Sequence, residues 1–289
     1  KQKLGYLCIT CHFIDDKWKL KKRIIRFALV ETPHDGKNML SAMVKALQDW
    51  NIEHKLFSIA LDNASVNDSF MSSLKENLVE RKLLPSNGDL FHSRCAAHIL
   101  NLIVQDGLSA ISGATHKIRE SVRYVGASQA RKQRFKEMIR QVGLPKMKWP
   151  FLDVPHRWNA TYDMLTSALP YKRAFKALAR EEPNYKHLPS DNEWGMARKL
   201  CSMLIVFHKA TLTVSGSKYP TSNLWFHEIW EVKKLLDTEI LNSHPNIVSM
   251  AYEMIHKFEK YWKLSFLQIC IPVILDSRFK LTFLEYRLK

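Results

Sequence analysis

The chain has 289 residues, of which 46% are apolar and 11% aromatic, so it can form a folded core and is not a disordered protein. Its 44 lysines and arginines against 28 aspartates and glutamates leave a formal net charge of +16. That surplus favours nucleic acid as a partner over membrane, with a solvated basic surface as the alternative. Since no apolar stretch is long enough to span a membrane and the cysteines number five, we expect an intracellular protein with reduced thiols.

The first hundred residues predict an α/β unit. Alternating or short apolar runs predict strands, and apolar residues three or four positions apart predict helices. Hairpin strands followed by strand–helix alternation indicate a mixed sheet covered by helices. The predicted strands cover 5–15, 18–31, 54–61 and 89–94, and the predicted helices cover 36–52, 65–84 and 95–111.

From about residue 114 onward the strand patterns almost disappear, and the pattern is helical to the end. A connector rich in proline and aromatic residues, 144–158, interrupts it. The sequence therefore predicts two parts, an α/β unit over 1–113 and a helical region over 114–289. The helices predicted in the second part cover 116–143, 159–182, 191–215, 221–242 and 245–264.

Six stretches, in chain order, resemble a known family. They are "SIALDNASVND", "FHSRCAAHILNLIVQDGL", "SQARKQRF", "DVPHRWNATYDML", "SGSKYPTSNL" and "VILDSRFK". Together they resemble plant hAT-superfamily transposases and their domesticated, BED-finger-containing relatives of the RICESLEEPER type. The resemblance implies an RNase H-like core, with a mixed sheet and flanking helices, that is interrupted by a mostly helical insertion. It also implies cut-and-paste DNA chemistry that uses three carboxylates and Mg²⁺ or Mn²⁺ in the intact parent protein.

Asp62 matches the second catalytic aspartate of the family and would be a metal ligand at a strand end. Such carboxylates hold two metal ions that polarise the attacking and leaving oxygens. The resemblance places the first aspartate before this sequence and the glutamate after it, so we expect a catalytically incomplete fragment that binds no metal by itself. The alternative for Asp62 is a cap or turn residue at the helix that follows.

Cys95 and His98 match a Cys-x-x-His signature of the family, which implies positions beside the active site. The spacing of three places them on one face of a helix, where they could contribute to a zinc site. A full site needs more ligands, and Cys8, Cys11 and His12 are the other thiol and imidazole groups that could share one. A structural or phosphate-adjacent role is the favoured interpretation.

Arg157 and Trp158 match an Arg-Trp pair that lies by the active site in the family. The resemblance implies that the tryptophan stacks on a base extruded from the DNA, which partly restores the stacking that extrusion costs. The arginine would hold the adjacent phosphate through its planar fork. A core tryptophan beside a surface arginine is the alternative.

The stretch 117–148 contains ten lysines and arginines against two glutamates. Lys132, Lys136 and Arg140 repeat at intervals of four and share one helix face, and Arg134 lies among them. Such a row of cations can follow a phosphate backbone without reading bases, although a solvated helix face is the common alternative.

We therefore interpret the chain as a DNA-binding fragment of a hAT-type transposase, or of a domesticated one, that acts in the nucleus. Its partners would be DNA at transposon ends or in the host genome and, through a C-terminal segment outside this sequence, further copies of the parent; a membrane is not expected. One alternative is part of an active metal-dependent transposase. The other is a domesticated regulatory protein that acts through protein partners.

Overall fold

The computed structural model describes residues 4–30, 35–145, 147–154, 157–216 and 219–289. The chain divides into two compact units, Lys1–His98 and Ile99–Lys289. The first unit is α/β and the second contains helices alone among its described residues, which confirms the predicted fold class.

Two antiparallel strands begin the first unit, as the sequence predicted. β1 (Gly5–Ile14) pairs with β2 (Leu20–Val30), and the register shifts between Ile9 and Thr10. The turn between them is held by Asp15, whose carboxylate accepts hydrogen bonds from the backbone N–H groups of Lys17 and Lys19.

A second pair of strands is parallel and short. β3 (Ile59–Leu61) pairs with β4 (His92–Arg94), and helices precede, connect and follow this pair. The strand predicted over 54–61 is limited to its last three residues, because Glu53–Lys55 form a 3-10 turn. These helices are α1 (Gly36–Asp49), α2 (Ser65–Glu80) and α3 (Ala96–Ala110).

Across the described residues the four strands form two separate two-stranded sheets and not the single mixed sheet that the sequence predicted. Among the described residues, neither strand of the β1–β2 pair is hydrogen-bonded to a strand of the β3–β4 pair. Helix α1 covers one face of the hairpin, and Trp50 at its end donates a hydrogen bond to the carbonyl of Ile25. Behind these elements lies the core of the first unit, which comprises Ile9, Met43, Ala46, Leu47, Phe70, Met71, Leu74, Leu78, Leu84 and Phe91.

The other face of the hairpin is apolar and exposed. Side chains alternate between the two faces of a strand, so one set of β1 and β2 residues meets the core and the other points outward. Phe27 is 68% exposed, and its ring stacks on Tyr6 across the two strands. We call the outward set the open face of the hairpin; it comprises Tyr6, Cys8, Ile24, Phe27 and Leu29.

Eight further helices are described in the second unit, which also contains most of α3. They are α4 (Ser112–Gly126), α5 (Gln129–Gln141), α6 (Trp158–Ala168), α7 (Lys172–Glu181), α8 (Asp191–Val214), α9 (Ser222–Glu239), α10 (Pro245–Leu275) and α11 (Lys280–Leu288). The long α8 packs against α4, α6 and α9, and α9 packs along α10. Large rings fill the interior, with Trp158, Trp194, Phe135, Phe175, Phe207 and Phe226 almost fully buried.

Two predicted helices are each divided in the structure. The helix expected over 116–143 becomes α4 and α5, because Ser128 adopts an extended backbone and its side chain accepts from the Arg131 N–H as an N-cap. The helix expected over 159–182 becomes α6 and α7, which are separated by a 3-10 turn that contains Pro170.

The division at His98 falls earlier than the boundary that the sequence placed at 113. The later part of α3 belongs to the helical unit because it packs closely on α10. At Gly107 a Cβ atom would lie 2.5 Å from the Cγ atom of Met254, so only a residue without a side chain allows this approach.

All five cysteines are free thiols, as expected. Cys8 is exposed and Cys270 is buried. Burial raises the pKa of the Cys201 and Cys270 thiols to about 11. Within the described part of the chain, no helix is both long and apolar enough to cross a membrane.

Candidate functional site

Two parallel strand ends define one edge of the first unit. Asp62 directly follows β3, and Cys95 directly follows β4. The backbone N–H of Cys95 donates to the carbonyl of Leu61 at 2.8 Å, which extends the ladder to this edge. Side chains from the carboxyl ends of parallel strands converge, and ligands commonly bind there. The structure therefore brings Asp62 and Cys95 to the same edge.

The carboxylate of Asp62 is fixed on one side and open on the other. Its Oδ1 atom accepts from the Asn67 side-chain amide at 2.6 Å and from the Ala64 N–H at 3.1 Å. Among the described residues its Oδ2 atom has no hydrogen-bond partner, and the side chain is exposed. Asp62 thus stabilises the turn before α2, while one oxygen remains available to a ligand.

Arg94 is a residue that sequence reasoning missed at this edge. Its guanidinium donates to Asn63 Oδ1 at 3.1 Å and to Asp68 Oδ1 at 2.8 Å. The Arg94 side chain is 17% exposed, whereas that of Asp68 is 51% exposed. The arginine therefore fixes the loop on both sides of Ala64. The sequence contained a signal for this contact: Arg94 is the last residue of β4, and the polar residues Asp62, Asn63 and Ser65 follow β3.

Cys95 and His98 are half-buried at this edge, beside the start of α3. Neither side chain has a hydrogen bond or ion pair within the described residues. A metal site needs three or more such ligands. The described residues contain no group of three His, Cys, Asp or Glu side chains that could hold a metal ion. The described residues therefore do not supply a complete zinc or magnesium site.

The Arg-Trp pair lies at the start of α6 in the second unit. Trp158 is 2% exposed, and its ring meets Phe207 edge-on at 6.4 Å and His208 at 6.5 Å. A stack on a base needs a free ring face, which this packing does not leave. In this structure Trp158 is therefore a core side chain, as in the alternative interpretation, and its stacking on a base stays a prediction. Arg157 itself is exposed and, in the part of the chain that is described, has no ion pair.

A buried ion pair just before Arg157 was also missed by sequence reasoning. Asp153, with a side chain 1% exposed, receives two hydrogen bonds from Arg119 at 2.8 and 2.7 Å and one from the Thr161 hydroxyl. Burial alone would raise the pKa of Asp153, but the bonds from Arg119 and Thr161 outweigh it and hold that pKa below its usual value. Through these bonds Asp153 links the connector 144–158 to Arg119 on α4 and to Thr161 on α6.

The cations of helix α5 differ in whether a carboxylate lies beside them. Arg134 contacts the carboxylates of Glu137, Glu181 and Glu182 at 2.6 to 3.2 Å, so its charge is already balanced and a phosphate-binding role for it is not supported. Phe135 and Met138 point into the core. Arg131 lies over the ring of Tyr124, 4.1 Å from its centre. The other three cations form what we call the α5 stripe, namely Lys132, Lys136 and Arg140, and no carboxylate among the described residues pairs with them.

A second group of cations lies along β2 and is partly neutralised by carboxylates. Lys21 lies 3.2 Å from Asp15, and Arg26 lies 2.7 Å from Asp49 at the end of α1. Lys22 and Arg23 are exposed on this strand. Cations along an unpaired strand also discourage pairing with other chains, so this cluster is less specific for nucleic acid than the α5 stripe.

Three family models match consecutive parts of the chain. The ZBED1 RNase-like domain matches residues 1–90, and the ZBED1 RNase-like helical domain matches residues 93–203. A hAT-like transposase domain of RNase-H fold matches residues 223–289. These matches confirm the expected class, an RNase H-like core with a helical insertion.

Individual relatives match almost the entire chain. It is 37% identical over 286 residues to the zinc finger BED domain-containing protein RICESLEEPER 2 of Oryza sativa subsp. japonica. It is 38% identical over 291 residues to a putative AC transposase of Zea mays, and 29% identical over 286 residues to DAYSLEEPER of Arabidopsis thaliana. These comparisons cover 40%, 36% and 41% of the respective relatives, so the chain spans about two fifths of their length.

Proposed function

Because the chain belongs to the hAT superfamily of transposases and their BED-finger relatives, we propose that it binds DNA through the α5 stripe. The observation that carries the proposal is the row of Lys132, Lys136 and Arg140 on one helix face without carboxylate partners in the described residues. The net charge of +16 supports the same kind of partner. A nuclear location follows from this proposal.

Other cations of the second unit are less suited to phosphate. Lys172 and Lys176 both contact Asp191 at 2.7 Å, and Lys117 lies 3.1 Å from Glu193. A phosphate would have to replace these carboxylates, whereas at the α5 stripe it replaces only water and counterions. Three cations spaced one turn apart follow about 12 Å of helix axis, which lets them contact successive phosphates. Contacts of this kind fix position without reading sequence.

A second candidate function is metal-dependent DNA cleavage by a longer protein that contains this chain. The observation that favours it is the position of Asp62 at the shared edge of β3 and β4, with Oδ2 open. If that proposal holds, Asp62 supplies one ligand and the other carboxylates come from outside the described residues. The metal would supply Lewis-acid activation of the scissile phosphate, and Asn67 would orient Asp62.

The DNA-binding proposal is tested by fluorescence anisotropy of a labelled duplex titrated with the chain over a range of salt concentrations. Each phosphate contact contributes about 0.9 to the slope of log affinity against log salt. Replacing Lys132, Lys136 and Arg140 together with alanine should therefore lower the slope by roughly 2 to 3.

The matched control replaces three paired cations, Lys117, Lys172 and Lys176, with alanine, which removes the same net charge. Its slope should change by less than about 1 if the α5 stripe is the contact surface. Equal losses in both variants would mean that net charge alone attracts DNA. If the wild-type chain does not bind DNA even at low salt, the proposal fails and a protein partner becomes the better candidate.

A further inference from the structure

A cavity lined by aromatic rings opens between α8, α9 and α11. Its volume is about 100 Å³. Phe226 is fully buried and stacks at 10° on Trp230, which is partly exposed, and Phe283 forms another wall. Cavities for drug-sized ligands measure roughly 300–1,000 Å³. This one is suited to a single planar ring system.

Two polar atoms of cavity-lining residues are buried without a hydrogen-bond partner in the described residues. They are Nε of Arg287 and Nε2 of His227. The guanidinium of Arg287 lies 5.4 Å from the centre of the Phe283 ring. Burial lowers the pKa of His227, and the charge of Arg287 lowers it further. Buried polar groups normally have partners, so these two atoms are exceptions; both are enclosed by protein and neither is open to the cavity.

Charged groups of both signs surround the opening. Lys209 has no carboxylate partner among the described residues, and Glu231 pairs with Lys234. Glu228 accepts a hydrogen bond from the Thr213 hydroxyl. With two cations and two carboxylates, the lining has no net charge. This arrangement does not favour an isolated phosphate, but it offers donors and acceptors to a neutral planar group.

We propose that this cavity takes one unpaired nucleobase of a bound DNA strand, an inference that rests on the proposed DNA binding. A nucleobase has a ring face for Trp230 and edge atoms that both donate and accept hydrogen bonds. Arg287 donates to its acceptors, and Glu228 accepts from an exocyclic amine. Lys209 at the opening contacts the adjoining phosphate. This site differs from the Arg157–Trp158 pair, whose tryptophan ring is buried.

The test uses the full 289-residue chain and a duplex with a short single-stranded overhang that contains 2-aminopurine as its reporter base. An otherwise identical duplex carries an abasic position in place of that base. The overhang with the base should bind about tenfold more tightly than the abasic one, and stacking on Trp230 should quench its fluorescence.

Two variants and one matched control locate the effect. Trp230→Ala should remove both the quenching and the preference for the base, and Arg287→Ala, which keeps the aromatic wall, should reduce the preference severalfold. Trp18→Ala, which removes the same side chain from an exposed turn, should change neither. Thermal unfolding followed by circular dichroism checks that Trp230→Ala folds. If Trp230→Ala does not fold, the result for Arg287→Ala alone tests the nucleobase site.

Failure of the nucleobase site and failure of DNA binding are distinguishable. If the base and abasic overhangs bind equally well, or if quenching persists in both cavity variants, the base-binding site is excluded while DNA binding stands. If the α5 stripe variant loses affinity and neither cavity variant does, the base-binding site is likewise excluded while DNA binding stands. If neither overhang binds at low salt, the proposed DNA binding fails, and the nucleobase site fails with it.

Discussion

The helical unit packs several of its large rings into its interior, whereas the α/β unit leaves one face of its hairpin exposed. Trp158, Trp194 and Phe207 are at most 2% exposed in the helical unit, while Phe27 and Ile24 on the open face of the hairpin are 68% and 65% exposed. A helix satisfies its backbone internally and needs only one covered face. A two-stranded sheet is marginal without further strands or a covering layer. The stability of the α/β unit therefore depends on contacts between residues far apart in sequence.

The largest expected effect tests whether the helical unit relies on its buried ion pair. Arg119→Ala should lower the free energy of unfolding by about 3 to 5 kcal/mol, because it leaves the buried Asp153 carboxylate without a cation, with the Thr161 hydroxyl still donating to it. Urea unfolding followed by tryptophan fluorescence measures this, since six of the eight tryptophans lie in this unit. The control, Arg123→Ala on the same helix, removes an exposed pair with Glu120 and should cost less than about 1 kcal/mol. Equal costs would contradict the interpretation.

The two faces of the hairpin provide the next comparison. Ile9→Ala should destabilise the α/β unit by roughly 2 to 4 kcal/mol, because Ile9 belongs to its core. Phe27→Ala, on the open face, should cost less than about 1 kcal/mol, chiefly through its stack on Tyr6. Hydrogen exchange of the β1 and β2 amides reports both values. A large cost for Phe27→Ala would show that the open face is covered in solution.

A smaller effect depends on pH and has a definite sign. The pKa of Asp153 in the folded state lies below its ordinary value, so this group stabilises the helical unit above its unfolded pKa of about 3.9. That contribution is lost as the pH falls through the folded pKa. The melting temperature should therefore decrease on acidification below about pH 4.

The Arg119→Ala variant should show the opposite sign. Without the guanidinium, burial raises the pKa of Asp153, so protonation relieves the buried charge and the variant recovers stability relative to wild type as the pH falls toward about 5. Parallel pH profiles for the two proteins would exclude this role for the pair.

The smallest effect concerns the cap that separates α4 from α5. Ser128→Ala should cost about 1 kcal/mol, because the Arg131 N–H loses its side-chain acceptor. Ser202→Ala, within α8, is a suitable control because its hydroxyl bonds only to the carbonyl of Lys199 one turn earlier. Thermal unfolding compares the two. Equal melting temperatures would mean that Ser128 is not needed to start α5.

The sequence predicted elements that depend on local pattern. Apolar spacing identified most helices, and the alternation in 5–15 and 18–31 identified the hairpin. The position of Asp62 at a strand end was also predicted, because the apolar run that ends at Leu61 is followed directly by polar residues. Such signals lie within one turn or one strand and do not require the partner to be known.

The remainder depended on partners that are distant in sequence. Helical spacing placed Arg134 among the exposed cations but could not show that Glu181 and Glu182 lie opposite, 47 and 48 residues later. Nor could an Arg-Trp motif show that Phe207, on another helix, covers Trp158. Strand pairing is likewise non-local, which is why one mixed sheet was expected and two small ones are observed.

The distribution of the free thiols has a consequence for chemical labelling. Only the thiolate reacts with alkylating reagents, and at pH 8 a thiol whose pKa is about 11 is ionised in roughly one molecule in a thousand. Cys201 and Cys270 are therefore slow to react while the helical unit is folded, and burial slows them further. Cys8 lies exposed on the open face, so a maleimide dye would attach there first and would report directly on whatever approaches that face.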